Sequence, residues 1–149
     1  MNSAVSSVLK ISLTRRYHFA ASHRLYSPKL TEAENHELYG KCSNPYGHGH
    51  NYMLEVTLAG DVDQSTGMLV HLGELDQFVE SKVIEPLDHK YLNEEIPEFG
   101  ATVPTTENVC REIYHRLKAI PWARLVRVRI EETSHNSFEI DDEGFGDSQ

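Results

Sequence analysis

Two segments in which apolar and polar residues alternate impose the strongest constraint on the fold of this 149-residue chain. Because successive side chains of a β-strand point to opposite faces, such alternation predicts two long strands, each with one apolar face. The apolar face of the first segment, residues 9–23, carries Leu9, Ile11, Leu13, Tyr17, Phe19, Ala21 and His23, interrupted by Arg15. The corresponding face of the second carries His48, His50, Tyr52, Leu54, Val56 and Leu58. Each predicted strand therefore has histidine at one end of its apolar face.

The middle of the chain predicts two helices. Apolar residues recur at helical spacing from Leu72 to Glu85, and Pro86 is expected to end this helix because proline lacks an amide hydrogen. A second helix is predicted from about Thr105 to Ala119, with a threonine as its N-cap. By contrast, residues 24–47 contain prolines, glycines and charges without lasting periodicity, which indicates a long irregular connection.

Two further strands are predicted near the C-terminus, over residues 125–133 and 138–140. One face of the first of these carries Val126, Val128, Ile130 and Glu132. The order of two strands, two helices and two strands predicts an α+β fold, with a four-stranded antiparallel sheet and both helices on one face. The acidic residues 141–149 are predicted to form a flexible tail.

Size and charge limit the functions that this fold could have. The chain has a mass of 17.0 kDa, and residues 1–149 are predicted to form a single domain. A formal net charge of -9 repels polyanions, so we expect no nucleic-acid partner and no anionic membrane surface. No apolar run suits a membrane span, and the N-terminal residues lack the apolar core of a signal peptide. We therefore predict a soluble, cytoplasmic protein.

The histidines at the strand ends are placed to share a metal ion. His48 and His50 are two residues apart, so on one strand their imidazoles project to the same side. Together with His23 they would form a three-histidine site, in which zinc keeps a fourth position open for water or substrate. The alternative is a set of surface histidines, or of core histidines hydrogen-bonded to the backbone. Their shared position at the ends of apolar faces favours the metal site.

Cys42, six residues before His48, has three interpretations: a packing residue, a fourth zinc ligand, or a catalytic thiolate. Its glycine, lysine, asparagine and proline neighbours disfavour the first. A nearby cation, Lys41 or zinc, would lower the pKa of the thiol and favour a thiolate that acts as base or nucleophile. Cys110 lies beside the apolar stripe of the second predicted helix and is interpreted as a packing residue.

Two carboxylates are further candidates. Asp88 precedes His89 in the predicted loop after the first helix, and a carboxylate beside an imidazole can tune a proton carrier. A solvated loop explains this pair equally well. Glu132 ends an apolar face, where a carboxylate is costly unless it meets donors such as adjacent N–H groups of a bound ring. The structural alternative for Glu132 is a salt bridge with Arg129.

Five stretches of the sequence resemble the 6-pyruvoyl tetrahydropterin synthase family, over almost the whole span from Tyr17 to Phe138. They are Phe-Ala-Ala-Ser-His23-Arg-Leu, Gly-Lys-Cys42-Ser-Asn-Pro-Tyr-Gly-His48-Gly-His50-Asn-Tyr, Pro-Leu-Asp88-His89-Lys, Thr105-Thr106-Glu-Asn-Val and Ile-Glu-Glu132-Thr. The resemblance implies that the zinc ligands are His23, His48 and His50. It implies that Cys42 is the proton-abstracting base and that Asp88 with His89 assists proton transfer. It also places Thr105, Thr106 and Glu132 around a pterin ring.

The same resemblance implies an assembly and a reaction. The family has the tunnelling fold, in which small antiparallel sheets form trimeric barrels that pair as hexamers, with active sites between subunits. The implied reaction is that of a carbon–oxygen lyase acting on phosphates. It converts 7,8-dihydroneopterin triphosphate into 6-pyruvoyl-tetrahydropterin with loss of triphosphate, in tetrahydrobiopterin biosynthesis. This reaction is redox-neutral overall, in keeping with a sequence that has no GxGxxG or P-loop motif.

Two other functions are alternatives. A 6-carboxy-tetrahydropterin synthase of the queuosine pathway would share the fold, the zinc site and the substrate but expel a two-carbon fragment. That branch more often has three residues between its cysteine and His-Gly-His, whereas this chain has the five residues 43–47, which favours the pyruvoyl branch. A non-catalytic zinc- or pterin-binding module would use Cys42 as a fourth ligand. Three basic residues, Arg24, Lys41 and Lys90, lie near the proposed site in sequence, and the sequence does not choose among them as triphosphate ligands.

Overall fold

A five-stranded mixed sheet forms the centre of the computed structural model, which describes residues 10–142. The strands are β1 (Ile11–His23), β2 (His48–Gly60), β3 (Lys90–Tyr91), β4 (Arg124–Thr133) and β5 (Asn136–Asp141). Their order in the sheet is β3-β1-β2-β4-β5. The pairs β1–β2, β2–β4 and β4–β5 are antiparallel, whereas β3 runs parallel to β1.

The predicted four-stranded antiparallel sheet is therefore wrong in one respect. The additional strand, β3, pairs only with Ala21 and Ser22 of β1, and two residues are too few to show an alternating pattern in the sequence. The predicted tail also begins too early, because Asp141 is the last residue of β5. Leu9 of the first predicted strand and residues 143–149 of the predicted tail lie outside the described residues.

Between residues 10 and 142, five complete α-helical segments accompany the sheet: α1 (Glu32–Tyr39), α2 (Leu72–Val79), α3 (Glu85–Leu87), α4 (Leu92–Glu95) and α5 (Thr106–Leu117). Short 3₁₀ turns span Gly40–Ser43 and Pro97–Phe99, and a π-helical turn over Glu80–Ile84 joins α2 to α3. The α2 and α5 segments correspond to the two predicted helices. The N-cap of α5 is Thr105, whose hydroxyl accepts the amide hydrogen of Asn108 at 3.2 Å.

The prediction of an irregular connection over residues 24–47 missed α1. This helix begins with a capping box. The Thr31 hydroxyl accepts the amide hydrogen of Glu34 at 3.1 Å, and the Glu34 carboxylate accepts the amide hydrogen of Thr31 at 2.8 Å. The pattern Thr-x-x-Glu is visible in the sequence and predicts such a helix start. Apolar periodicity did not reveal the helix because its one buried residue is the polar Asn35.

Pro86 does not end the first predicted helix, which continues through the π-helical turn to Leu87. The amide of Glu85 donates to the carbonyl of Glu80 in the wider π geometry, and a new α-helical segment starts there. Pro86 lies in the first turn of that segment, where its missing amide hydrogen costs least. The local widening therefore accommodates the proline.

One face of the sheet and the helices α2 and α5 enclose the hydrophobic core. The strands contribute Phe19, Ala21, Tyr52, Leu54, Val56, Leu58, Leu125, Val128 and Ile130. The helices contribute Leu75, Val79, Val109, Cys110, Ile113 and Leu117. Cys110 is thus a packing residue, as predicted. None of the helices among residues 10–142 has the length and apolar character needed to span a membrane.

Two bulges interrupt the pairing of β4 with its neighbours. Between Arg127 and Leu125 the pairing with β2 shifts, so that Leu125 is buried and Val126, predicted on the buried face, is only half-buried. The pairing with β5 passes from Glu131 directly to Thr133, which leaves Glu132 unpaired. Glu132 nevertheless lies two residues after the buried Ile130, on the face that strand alternation predicts.

Replacing Leu54 tests whether the described core stabilises the fold. Leu54 is 0% exposed on the central strand β2, so Leu54→Ala should lower the free energy of unfolding by about 2–5 kcal/mol in urea denaturation. Leu38 on α1 is 64% exposed, and Leu38→Ala should change that free energy by less than about 0.5 kcal/mol. Equal losses for the two variants would contradict this core.

Candidate active site

Pairing of β1 with β2 gathers three histidines at one end of the sheet. His23 lies directly opposite His48, and His50 follows two residues later on the same face of β2. The ring centroids of His23 and His50 are 5.0 Å apart, and those of His48 and His50 are 4.9 Å apart. His23 is fully buried, whereas the other two rings are half-buried. The structure therefore brings together the three histidines that were predicted to share a metal.

Cys42 joins this cluster from the 3₁₀ turn before β2. Its Sγ lies 3.8 Å from Nε2 of His50. Among residues 10–142, His23, Cys42 and His50 form a group whose metal-ligating atoms all lie within 4.8 Å of one another, and His48 is not part of that group. Zinc binds imidazole and thiolate alike. The geometry thus offers two donor sets, one of three histidines and one with Cys42.

His23 has the hydrogen bonding expected of a metal ligand. Its Nδ1 lies 2.8 Å from the carbonyl oxygen of Pro104, which can only accept, so Nδ1 carries the hydrogen and Nε2 has a free lone pair. Nε2 is buried and has no hydrogen-bond partner in the part of the chain that the structure describes. Burial also lowers the pKa of His23, which favours the neutral imidazole that a metal requires. A buried, unpartnered nitrogen beside other ligating groups fits a bound cation.

The loop before α5 fixes the carbonyl that orients this imidazole. Asn108 donates from Nδ2 to the carbonyl of Val103 at 2.8 Å and so ties the loop to the first turn of the helix. The predicted substrate-binding residues Thr105 and Thr106 directly follow Pro104. Thr106 is 3% exposed, and its hydroxyl lies near that of Tyr52. The two threonines therefore lie beside the histidine cluster.

The protonation states of His50 and Cys42 follow from burial. Burial lowers the pKa of His50, although the nearby Glu132 carboxylate acts in the opposite direction. Burial and the same carboxylate raise the pKa of the Cys42 thiol. The sequence-based expectation that Lys41 would lower this pKa is not met, because the lysine side chain is exposed to solvent. Without a cation in the cluster, Cys42 is a protonated thiol at neutral pH.

The carboxylate of Glu132 points into the cluster. Its Oε2 lies 3.4 Å from Nε2 of His50 and 3.9 Å from Nε2 of His23, and the side chain is 14% exposed. Nδ2 of Asn136 donates to its other oxygen at 3.4 Å. Strand alternation explains this direction, since Glu132 lies on the same face of β4 as Ile130 and Val128, two and four residues earlier.

The alternative salt bridge between Glu132 and Arg129 does not form. Arg129 instead pairs with Glu55 at 3.5 Å and with Glu131 at 3.7 Å. These contacts lie on the face of the sheet opposite the core, where Glu55 also pairs with Arg16 at 2.9 Å. Glu132 is therefore available to bind a ligand that carries N–H donors.

Asp88 and His89 form a hydrogen-bonded pair outside this cluster. Nδ1 of His89 lies 2.9 Å from one oxygen of Asp88, and the other oxygen accepts the amide hydrogen of Ala20 at 2.8 Å. The hydrogen bond from Ala20, followed by that from His89, lowers the pKa of Asp88. The His89 side chain is 81% exposed, and its φ of 61° is uncommon for a non-glycine residue. The pair is thus ordered but directed toward solvent.

Two residues of the cluster were missing from the sequence-based set. Tyr52 is fully buried, and its hydroxyl lies 3.5 Å from Nδ1 of His23. Strand alternation already placed it on the same face as His50, so the pattern could have indicated its position. Pro104 contributes through its backbone carbonyl, and no side-chain pattern predicts such a contact.

The chain is similar in sequence and in fold to known proteins. The sequence profile described as 6-pyruvoyl tetrahydropterin synthase matches residues 12–143. The chain is 47% identical over 125 residues to the 6-pyruvoyl tetrahydrobiopterin synthase of Pongo abelii, covering 83% of this chain and 86% of that protein. The corresponding Homo sapiens enzyme is 46% identical over 125 residues, with the same coverage of 83% and 86%.

A solved structure shows the same architecture. The 6-pyruvoyl tetrahydropterin synthase of Caenorhabditis elegans superimposes with a TM-score of 0.82 at 40% sequence identity. The match covers 89% of this chain and 96% of that structure. The chain therefore belongs to the 6-pyruvoyl tetrahydropterin synthase family of enzymes.

Proposed function

We propose that this protein converts 7,8-dihydroneopterin triphosphate into 6-pyruvoyl-tetrahydropterin, with elimination of triphosphate, in a zinc-dependent step of tetrahydrobiopterin biosynthesis. The observation that carries the proposal is the buried Nε2 of His23, which has no hydrogen-bond partner and lies in a cluster with His50 and Cys42. Such a cluster can hold a cation beside a proton acceptor. The names of the relatives at 46–47% identity support a 6-pyruvoyl pterin as the product.

The proposed zinc ligands are His23, His48 and His50, which leaves Cys42 free to act in catalysis. The three rings lie together on one sheet face, and His23 already has the tautomer that a metal ligand needs. When bound, zinc would supply Lewis-acid chemistry that acidifies C–H bonds beside the hydroxyl groups of the substrate side chain. It would also lower the pKa of the adjacent Cys42 thiol.

Cys42 is the proposed base. As a thiolate beside the substrate side chain, its Sγ accepts a proton from carbon, while Asp88 and His89 carry protons to and from solvent. The exposed ring of His89 suits exchange with water, and the Asp88 carboxylate fixes Nδ1 of that ring. Electrons released from the side chain reduce the ring, and the carbon–oxygen bond to triphosphate breaks. The oxidation and reduction balance within the substrate, so no redox cofactor is required.

Glu132, Thr105 and Thr106 are proposed to hold the pterin ring. The Glu132 carboxylate can accept two N–H groups of the ring, since no arginine occupies it. The hydroxyls of Thr105 and Thr106 are proposed to offer further hydrogen bonds. A ring fixed in this way would hold its side chain against the histidine cluster in one orientation.

A homo-oligomer of trimeric barrels, with active sites between subunits, completes the proposal. One edge of β1 pairs with β3 only at Ala21 and Ser22, and within residues 10–142 no strand pairs with the outer edge of β5. Open sheet edges of this length are suited to pairing with further copies of the chain. The outward direction of His89 in one protomer is compatible with a role at the Cys42 of its neighbour.

Product analysis tests the proposed reaction. Zinc-loaded protein incubated with 7,8-dihydroneopterin triphosphate should release 6-pyruvoyl-tetrahydropterin and inorganic triphosphate in equal amounts, identified by mass spectrometry. Protein with Cys42→Ala should be slower by about 10²- to 10⁴-fold, because a positioned base contributes that much. A carboxy-tetrahydropterin product would establish the alternative branch. Absence of any product would support a non-catalytic zinc or pterin module.

Co-assembly of inactive variants tests the shared active site. Cys42→Ala and His89→Ala should each lose turnover, and subunits of the two refolded together should recover activity, because some sites then combine an intact Cys42 with an intact His89. Co-assembly of Cys42→Ala with His50→Ala is the matched control. Those two residues lie 3.8 Å apart in one protomer, so their combination should stay inactive. Failure of the first mixture to recover activity would place Cys42 and His89 in the same subunit's site.

A further inference from the structure

Arg24 lies beside the Cys42 segment at the rim of the candidate active site. It directly follows His23, and the amide of the next residue, Leu25, donates to the carbonyl of Cys42 at 2.7 Å. Nε of Arg24 itself donates to the carbonyl of Ser43 at 3.0 Å. The guanidinium and the Cys42 thiol therefore flank the same short stretch of backbone.

Several contacts fix the position of this arginine. Its backbone amide donates to Oδ1 of Asn93 and its carbonyl accepts from Nδ2 of the same side chain, both at 2.8 Å. The guanidinium carbon lies 4.3 Å from the centroid of the Tyr26 ring, in a cation–π contact. An arginine held at both its backbone and its Nε loses little conformational freedom when its terminal nitrogens bind a ligand.

Among the described residues, the terminal nitrogens of Arg24 have no carboxylate partner, in contrast to most of the arginines. Carboxylate partners lie within 4.0 Å of Arg15, Arg16, Arg116, Arg124, Arg127 and Arg129. Within residues 10–142, Arg24 forms no ion pair, although the chain has 23 acidic residues against 14 basic ones. A fixed and half-buried guanidinium without an internal carboxylate is suited to an external anion.

The surroundings of Arg24 leave room for such an anion. A cavity of about 410 Å³ is lined by Arg24, Tyr26, Glu32, Ala33, Asn35, His36, Ser43, Asn44 and Pro45. His36 and Asn44 can add donors to a phosphate oxygen. Glu32 is the one carboxylate of this lining, and its repulsion favours an anion at the Arg24 side of the cavity.

On the basis of the proposed function, we infer that Arg24 binds the triphosphate group of the substrate. A substrate whose side-chain hydroxyls lie at the histidine cluster has its phosphates at the far end of that side chain, toward the rim. The planar guanidinium offers two parallel N–H donors that match phosphate oxygens. Of the other two basic residues near the site, Lys41 is exposed, and Lys90 lines a different cavity, which also includes His50 and His89.

Binding of two ligands that differ only in the triphosphate tests this role. The ligands are 7,8-dihydroneopterin triphosphate and 7,8-dihydroneopterin, measured with zinc-loaded Cys42→Ala protein so that turnover is slow. Adding Arg24→Gln to the Cys42→Ala protein should weaken its binding of 7,8-dihydroneopterin triphosphate about 10- to 100-fold. Its affinity for 7,8-dihydroneopterin should be unchanged. Arg24→Lys should lose less affinity for the triphosphate ligand, because lysine keeps the positive charge but lacks the two parallel N–H donors of the guanidinium. Arg111→Gln, on the exposed side of α5, is the control and should change neither affinity.

Each outcome has a separate meaning. Equal affinity of the triphosphate ligand for the Arg24→Gln and parent proteins would overturn the role of Arg24, while retained binding of dihydroneopterin would show that the site is still folded. An equal loss for both ligands would make Arg24 a structural residue and would also overturn the inference. Failure of both ligands to bind the parent protein would instead overturn the proposed function on which the inference rests.

Discussion

The register between β1 and β2 is the constraint on which the site depends. Thirteen residues of each strand pair without a shift, from Ile11 opposite Gly60 to His23 opposite His48. A slip of one residue would turn either apolar face away from the core and would separate the histidines. The burial of Tyr52, Leu54, Val56 and Leu58 against the helices therefore also fixes the histidine cluster. Core packing and site geometry are determined by the same pairing.

Burial gives the cluster its chemical character. It keeps the imidazoles of His23 and His50 neutral and the Cys42 thiol protonated, since each charged form is poorly solvated there. A bound cation would lower the pKa of the Cys42 thiol again. The lone pairs of the neutral imidazoles would serve as its ligands. Glu132 lies close enough to act on all three groups. In the proposed function, a metal ion and a substrate complete this site.

Strand alternation predicted the parts of this structure that depend on one face of a strand being buried. It placed His23, His48 and His50 at the ends of apolar faces, and the structure brings their rings together. Alternation could not predict the two-residue strand β3 or the bulge at Glu132, because neither leaves a periodic signal. The hydrogen bond between His23 and the Pro104 carbonyl likewise depends on tertiary packing across 81 residues of sequence. The helix α1, however, had a visible capping box.

The central claim is that three histidines hold zinc and leave the Cys42 thiolate free as the catalytic base. X-ray absorption at the zinc edge of the zinc-loaded protein tests it most directly, since it distinguishes nitrogen from sulfur ligands. Coordination by three histidines predicts imidazole nitrogens at about 2.0–2.1 Å and no sulfur shell. A sulfur ligand at about 2.3 Å would identify Cys42 as a zinc ligand and would contradict its role as a free base. The ligating atoms of His23, Cys42 and His50 lie within 4.8 Å of one another, which would fit that result.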